Sequence, residues 1–281
     1  MRAAASSTTW TSLALLFLAS PALSIQLDVT DNSSILRAAK TVVDDLLDFY
    51  TANGKGPAIP GLLPSPYYFW EAGLTFDSLI NYWSLSGDAS VVKTIQEGVL
   101  FQAGPDYSFM PPNQSKSLGN DDQSIWGHAA MTAAEVGFPI ATDQNLSWLQ
   151  LAQRVFDSQV PRWDTSSCNG GLRWQIYTFN NGYNYKNSVS NGLFFELAAR
   201  LARFTGNQTY TAWAQKSLDW SRAVGLVDEQ YSIFDGTDDL LNCTQFDHVQ
   251  WSMNLGIYMK ASSYLANSVS HFPRFSTYVW N

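Results

Sequence analysis

Four short segments of this chain resemble one another, and that repetition limits what it can fold into. Trp70-Glu71-Ala72-Gly73, Ile125-Trp126-Gly127-His128, Asn191-Gly192-Leu193-Phe194 and Asn254-Leu255-Gly256-Ile257 each set a glycine early in an aromatic-flanked helical stretch, recurring roughly every 60 residues. Self-similarity at such a period marks stacked helical hairpins, because each hairpin covers its apolar face only against the next. The small residue lets inner helices approach closely, and packing alone explains these glycines.

Apolar spacing agrees with helices almost throughout. Ile35, Ala39, Val42, Leu46 and Phe49 step by three and four, as do Val189, Leu193, Leu197, Leu201 and Phe204, and Phe246, Val249, Met253 and Ile257. The spacing predicts helices near 33–50, 68–85, 88–101, 121–136, 146–160, 187–204, 207–224 and 245–267. Ser86-Gly87-Asp88, Gly119-Asn120-Asp121 and Thr205-Gly206-Asn207 supply turn and cap signals between them. No run of comparable length alternates with period two. Three longer polar, aromatic segments lie between hairpins, at 102–120, 161–186 and 225–244. Such loops of a helical ring emerge together on one face, so these are expected to line a groove.

Composition says what that groove could hold. Aromatic residues make up 14% of the 281-residue chain, and charged residues only 14%, against roughly 25% in an average soluble domain. Net charge is −8 and lysines and arginines do not cluster, which argues against nucleic acid. An acidic chain rich in amides and aromatics suits a neutral polar ligand with apolar ring faces, such as a sugar. Trp and Tyr would stack on sugar rings, and Asn and Gln would bond their hydroxyls. For any single aromatic, packing remains an equally open reading. No dedicated protein partner is implied.

Residues 1–24 read as a secretory signal peptide. Arg2 is followed by the apolar run Leu13–Ala19 and then by small residues before a cut after Ser24. A signal anchor is the alternative, but the run is short for a bilayer span. Five Asn-X-Ser/Thr sequons, at Asn32, Asn113, Asn145, Asn207 and Asn242, fit an exported glycoprotein. In an oxidising compartment Cys168 and Cys243 read as a disulfide, with two buried thiols as the alternative. These cysteines and three scattered histidines make no metal site, and no cofactor is expected.

The chemistry rests on Asp121 and Asp122, side by side where a loop enters an inner helix. Alone, such a pair reads as helix capping and dipole charge. Asp44-Asp45 and Asp238-Asp239 show how easily the dipeptide arises. Position favours more for Asp121-Asp122, since it opens an inner helix at the mouth of the expected groove. Glycoside cleavage needs two carboxyls in different protonation states, roughly 5 Å apart in retaining enzymes. Adjacent residues suit that shorter separation, and mutual repulsion keeps a proton on one of them. The residues alone leave open which one. Trp70, Asn120, Gln123, Trp126, Trp174, Tyr183 and Tyr185 are candidate substrate contacts by their place near the loops.

Asn120-Asp121-Asp122-Gln123 before Trp126-Gly127, Cys168-Asn169-Gly170-Gly171-Leu172-Arg173-Trp174-Gln175, Gly182-Tyr183-Asn184-Tyr185-Lys186-Asn187-Ser188-Val189-Ser190-Asn191-Gly192 and Trp251-Ser252-Met253-Asn254-Leu255-Gly256 together resemble glycoside hydrolase family 76. The resemblance runs from about residue 26 to 268 and is strongest to the fungal cell-wall branch, mannan endo-1,6-alpha-mannosidases. It implies an all-α fold, an (α/α)6 barrel of helical hairpins, with a retaining mechanism on α-1,6-mannan. It also implies Asp121 as nucleophile and Asp122 as acid/base. In that branch the reaction implied extends to transglycosylation of mannose-containing anchor glycans at the cell surface. Twelve helices make such a barrel and eight are counted here. Residues 25–268 therefore read as a partial catalytic domain and 269–281 as a divergent tail, in which no lipid-anchor signal is seen. Two other readings stay open: a glycan-binding protein without catalysis, and a helical scaffold with no sugar role.

Overall fold

The computed structural model describes residues 25–52, 54–142 and 144–269. The expected signal peptide at 1–24 lies outside them, as does all but the first residue of the expected tail at 269–281. Eight α-helices occur among the described residues: α1 (Asn32–Tyr50), α2 (Phe69–Ser86), α3 (Val92–Ala103), α4 (Asn120–Glu135), α5 (Trp148–Gln159), α6 (Ser188–Thr205), α7 (Gln208–Ala223) and α8 (Ser252–Val269). The chain divides into two compact units at Val42–Val43. In the described part of the first, residues 25–42, the Asp31 carboxylate accepts the Ser33 N–H at 2.9 Å and opens α1.

In the second unit the caps follow sequence chemistry. Asn187 and Asn207 accept N–H groups of the first turns of α6 and α7. Ser147 and Gln150 form a reciprocal box at α5. Gly87 and Gly206 stop α2 and α6 in the left-handed conformation, where a Cβ would be strained. The helices then arrange in two rows. α2 packs on α4, α4 on α6 and α6 on α8, while α3, α5 and α7 each back onto the inner helix before them. Between the rows lies the main core, with Phe76, Trp126, Phe138, Trp148, Phe156 and Phe194 buried in it. The helix α6 is apolar nearly all round and buried from Ser190 to Ala202, as a central stave must be.

The repeat glycines have distinct environments. A Cβ on Gly73 would lie 2.8 Å from Ile125, one on Gly127 2.9 Å from Val155, and one on Gly192 2.6 Å from Tyr258, whereas Gly256 faces open space. Gly192→Ala should therefore overpack the α6–α8 seam and cost about 1–3 kcal/mol. Gly256→Ala should instead stabilise by up to about 1 kcal/mol through helix propensity. Urea titration of the two variants checks this, and equal effects would refute the assignment.

On the inner side, α4, α6 and α8 share a buried polar cluster. Arg200 donates to Glu135 and Thr132 at 2.8 Å and to His128 Nδ1 at 3.0 Å, while Lys260 pairs with Glu196 at 2.8 Å. The Leu193 carbonyl can only accept, so His128 Nε2 carries the proton and Nδ1 accepts from Arg200. Burial holds this imidazole neutral, its pKa pulled down to about 4.

The structure also corrects the sequence reading. The last helix begins at Ser252, not near 245, and the loops carry a small antiparallel sheet: β1 (Tyr185–Asn187), β2 (Gly236–Asp238) and β3 (Phe246–Asp247), in that order. Phe246 and Val249 fit a helical period by coincidence, and strands of two or three residues leave no alternation to detect. Among the described residues no helix is long and apolar enough to cross a membrane, and no cluster of His, Cys, Asp or Glu is arranged to hold a metal ion.

Candidate active site

Asp121 and Asp122 stand in the first turn of α4, after an N-cap at Gly119. Part of the capping reading holds: the Gly119 N–H donates to Asp122 Oδ2 at 2.7 Å. Asp121 finds its side-chain partner off the helix. Asp121 Oδ2 accepts from the Trp174 indole N–H at 3.0 Å, and Asp121 Oδ1 is buried without a hydrogen-bond partner. Gly119 is required here for space, since a Cβ at that position would collide with Asp121 Oδ1.

Both carboxyls are pushed above the ordinary aspartate range. Burial, and then the neighbouring Asp122 charge, raise Asp121 to about 8 against the bonds from nearby amides and Trp174. Burial raises Asp122 to about 6, opposed by the Gly119 amide. Over the interval between these values the pair holds one proton. That order favours the shared proton on Asp121. The resemblance implies the reverse, so an ionised Asp121 nucleophile requires the proton to cross to Asp122.

Asp121, Ile125 and His128 follow one stripe of α4, four and three residues apart. The lower two line a cavity of about 290 Å³, together with Leu74 and Asp77 of α2, Glu196 of α6 and Lys260 of α8. The carboxylate pair thus stands one turn above a cavity between the inner helices.

The interhelical loops converge on this helix end. Residues 102–120 meet 161–186 where the Asn120 N–H donates to the Trp174 carbonyl at 2.8 Å. Residues 161–186 meet 225–247 through the β1–β2 pairing and the Cys168–Cys243 disulfide. Between them lies a buried ionic network. The Lys186 ammonium is fully buried and donates to the carbonyls of Asp164, Ser167 and Gly170 at 3.0, 2.9 and 2.7 Å. Its Nζ also lies 3.2 Å from Asp164 Oδ2. Arg173 bridges Asp164 and Asp239 and stacks on Tyr183 at 4.6 Å.

The expected substrate contacts separate into three groups. Asn120, Gln123 and Trp126 are corrected, because they are buried and committed elsewhere. The Asn120 side chain bonds the Arg173 carbonyl and Arg162, and Gln123 bonds the Ser108 carbonyl and Ser158. Trp126 is 0% exposed, donates to the Phe69 carbonyl and stacks with Phe109. These three secure α4 instead of meeting a ligand. Trp70 and Tyr183 are half-buried, Trp70 against the small cluster of Ile125, Leu193 and Ile257. Trp174 and Tyr185 meet edge to face, and the Tyr185 hydroxyl donates to Asp235 at 2.7 Å. Arg173 and Lys186 entered the sequence reading only within the family motifs and Asp239 only as half of an incidental dipeptide, and no ionic network joining them to Asp164 was expected. An isolated lysine among aromatics gives no local signal that it is buried. The five sequon asparagines are all exposed, and Asn242 Oδ1 also accepts the Cys168 N–H at 2.9 Å.

Paired helical rows with two adjacent carboxylates at an inner-helix N-terminus define a helical-hairpin protein with an acid pair at the end of an inner helix. Residues 34–274 match glycosyl hydrolase family 76, and the chain belongs to that family. Mannan endo-1,6-alpha-mannosidase DCW1 of Candida albicans is 45% identical over 245 residues, covering 86% of this chain and 54% of the relative. The DCW1 protein of Saccharomyces cerevisiae is 43% identical over 246 residues, covering 86% and 54%. The crystal structure of Dfg5 from Chaetomium thermophilum, in complex with glucosamine, superimposes with a TM-score of 0.82 at 43% identity, covering 86% of this chain and 61% of that one. The chain therefore spans about half the length of the curated relatives it matches.

Proposed function

We propose that this chain carries the catalytic pair of a secreted, retaining endo-α-1,6-mannosidase. The observation that carries this reading is the adjacent, half-buried Asp121–Asp122 pair at the start of α4, one turn above the inner cavity, with burial pushing both carboxyls up. When the glycosidic oxygen docks beside Asp122 and positive charge develops at the anomeric carbon beside Asp121, both favour the proton on Asp122. Asp121 then attacks the anomeric carbon, the bond to the leaving oxygen breaks, and Asp122 gives that oxygen its proton. In the second half, Asp122 takes a proton from water, or from a sugar hydroxyl in transglycosylation, and that oxygen displaces Asp121. The names of the relatives support mannan as substrate. We assign residues 1–24 to a removed leader, 25–268 to the catalytic domain and 269–281 to a tail. The exposed sequons and the disulfide support passage through the secretory route to the cell surface.

Incubation with α-1,6-mannotetraose, followed by NMR of the first-formed anomer, tests the reading. Cleavage with retained α configuration is expected, and binding without cleavage refutes it. The pH dependence of kcat/KM should be bell-shaped. Below about 6 the second carboxyl is protonated and the nucleophile is lost; above about 8 the pair loses its last proton and the acid is lost. A profile flat from pH 5 to 9 would remove the shared proton from the mechanism.

A further inference from the structure

Trp174 was expected to face the sugar, but its polar atom is already engaged. The indole N–H donates to Asp121 Oδ2, and no other side chain among the described residues is seen to donate to that carboxylate. The residue is also held from several sides, through its main chain and its ring. The Trp174 N–H donates to the Tyr185 carbonyl at 2.6 Å, and the Trp174 carbonyl accepts from Asn120 at 2.8 Å. The preceding carbonyl, of Arg173, accepts from the Asn120 side chain at 2.8 Å. The six-membered ring lies on Gly182, where a Cβ would collide with it, and a Cβ on Gly119 would lie 3.2 Å from its Cδ1. Two glycines thus shape the slot that aims one N–H at one carboxylate oxygen.

We propose that Trp174 is a positioning residue that fixes the Asp121 carboxylate and favours its ionised form. This rests on the reading of Asp121 as nucleophile. A donor to Oδ2 stabilises the carboxylate over the acid, and Asp122 receives its own donor from the Gly119 main chain. The indole is therefore the side-chain contribution that biases the shared proton toward Asp122. It also sets the carboxylate plane, which a main-chain cap on Asp122 does not do for Asp121.

The test uses Trp174→Phe and, in case that variant fails to fold, benzothienylalanine at position 174. The second keeps the ring shape and replaces the N–H by sulfur. Two measurements are made on the full chain. Carbon-13 NMR of labelled aspartate carboxyls should show the Asp121 titration moving up by about 1 unit or more, whether or not the protein turns over substrate. With α-1,6-mannotetraose, the alkaline limb of the pH profile should move up likewise, because the upper step is the one that empties Asp121, and kcat should fall about tenfold with KM little changed. A raised KM with an unmoved alkaline limb and an unmoved Asp121 titration would overturn the proposal and make Trp174 a sugar contact. If the unmutated chain cleaves no mannan, the glycosidase reading fails, while the carboxyl titration still decides whether the indole tunes Asp121.

Discussion

Asp121→Asn and Asp122→Asn are each expected to lower turnover of α-1,6-mannan by at least about 10³-fold while the fold survives. An amide cannot attack the anomeric carbon, nor can it protonate a leaving oxygen. The two losses differ in kind. With Asp122→Asn, a substrate bearing a good leaving group needs no proton, so its glycosylation step should recover. With Asp121→Asn, no leaving group helps, because the bond-forming carboxylate is gone. Each asparagine can still accept the bond its aspartate accepts now, from the Gly119 amide or the Trp174 indole. Each also removes a charge from a crowded, buried site. Thermal stability should therefore hold or rise, which separates chemistry from folding. Unchanged turnover in both variants would exclude the pair from catalysis.

Lys186→Met should give the largest loss of stability, about 3–5 kcal/mol, with the Tm lowered by roughly 6–20 °C. Methionine nearly fills the same space, so packing is not the cause. What disappears is the one ammonium that serves three inward-turned carbonyls and the Asp164 carboxylate in a spot without water access. Asp164 has its carboxyl held far below the usual range by bonds from Ser166 and by the Lys186 charge, despite burial. That contribution is fully present above the unfolded carboxylate pKa and fades as pH falls below it. The penalty of the variant should shrink in strong acid for the same reason. Lys93→Met serves as control, since its pair with Glu97 is exposed on both sides and should count for little. Urea titrations of both variants give the comparison, and a Lys186→Met loss under about 1 kcal/mol would show that the loop stands without its cation.

These two sites also show what could be read without coordinates. The helices were legible because a period of three to four residues recurs over sixteen or more positions, as from Val189 to Phe204. The carboxylate pair was legible because its residues are consecutive and sit at a helix start. The Lys186 network was not, because its partners arrive from Asp164, Gly170 and, through Arg173, Asp239. Nothing in the neighbours of any one of them reports the meeting. Trp126 misled for a related reason. Closeness to Asp122 along the chain suggested a shared role, yet four residues on, its ring turns into the core against Phe69 and Phe109. The Cys168–Cys243 bond was legible by count, since the chain has two cysteines.

The segment bearing Trp174 is fastened at once to the start of α4 and to β1. A swinging door over the carboxylates cannot be made from it, because any outward swing would drag the first turn of α4, and Asp121 with it, along.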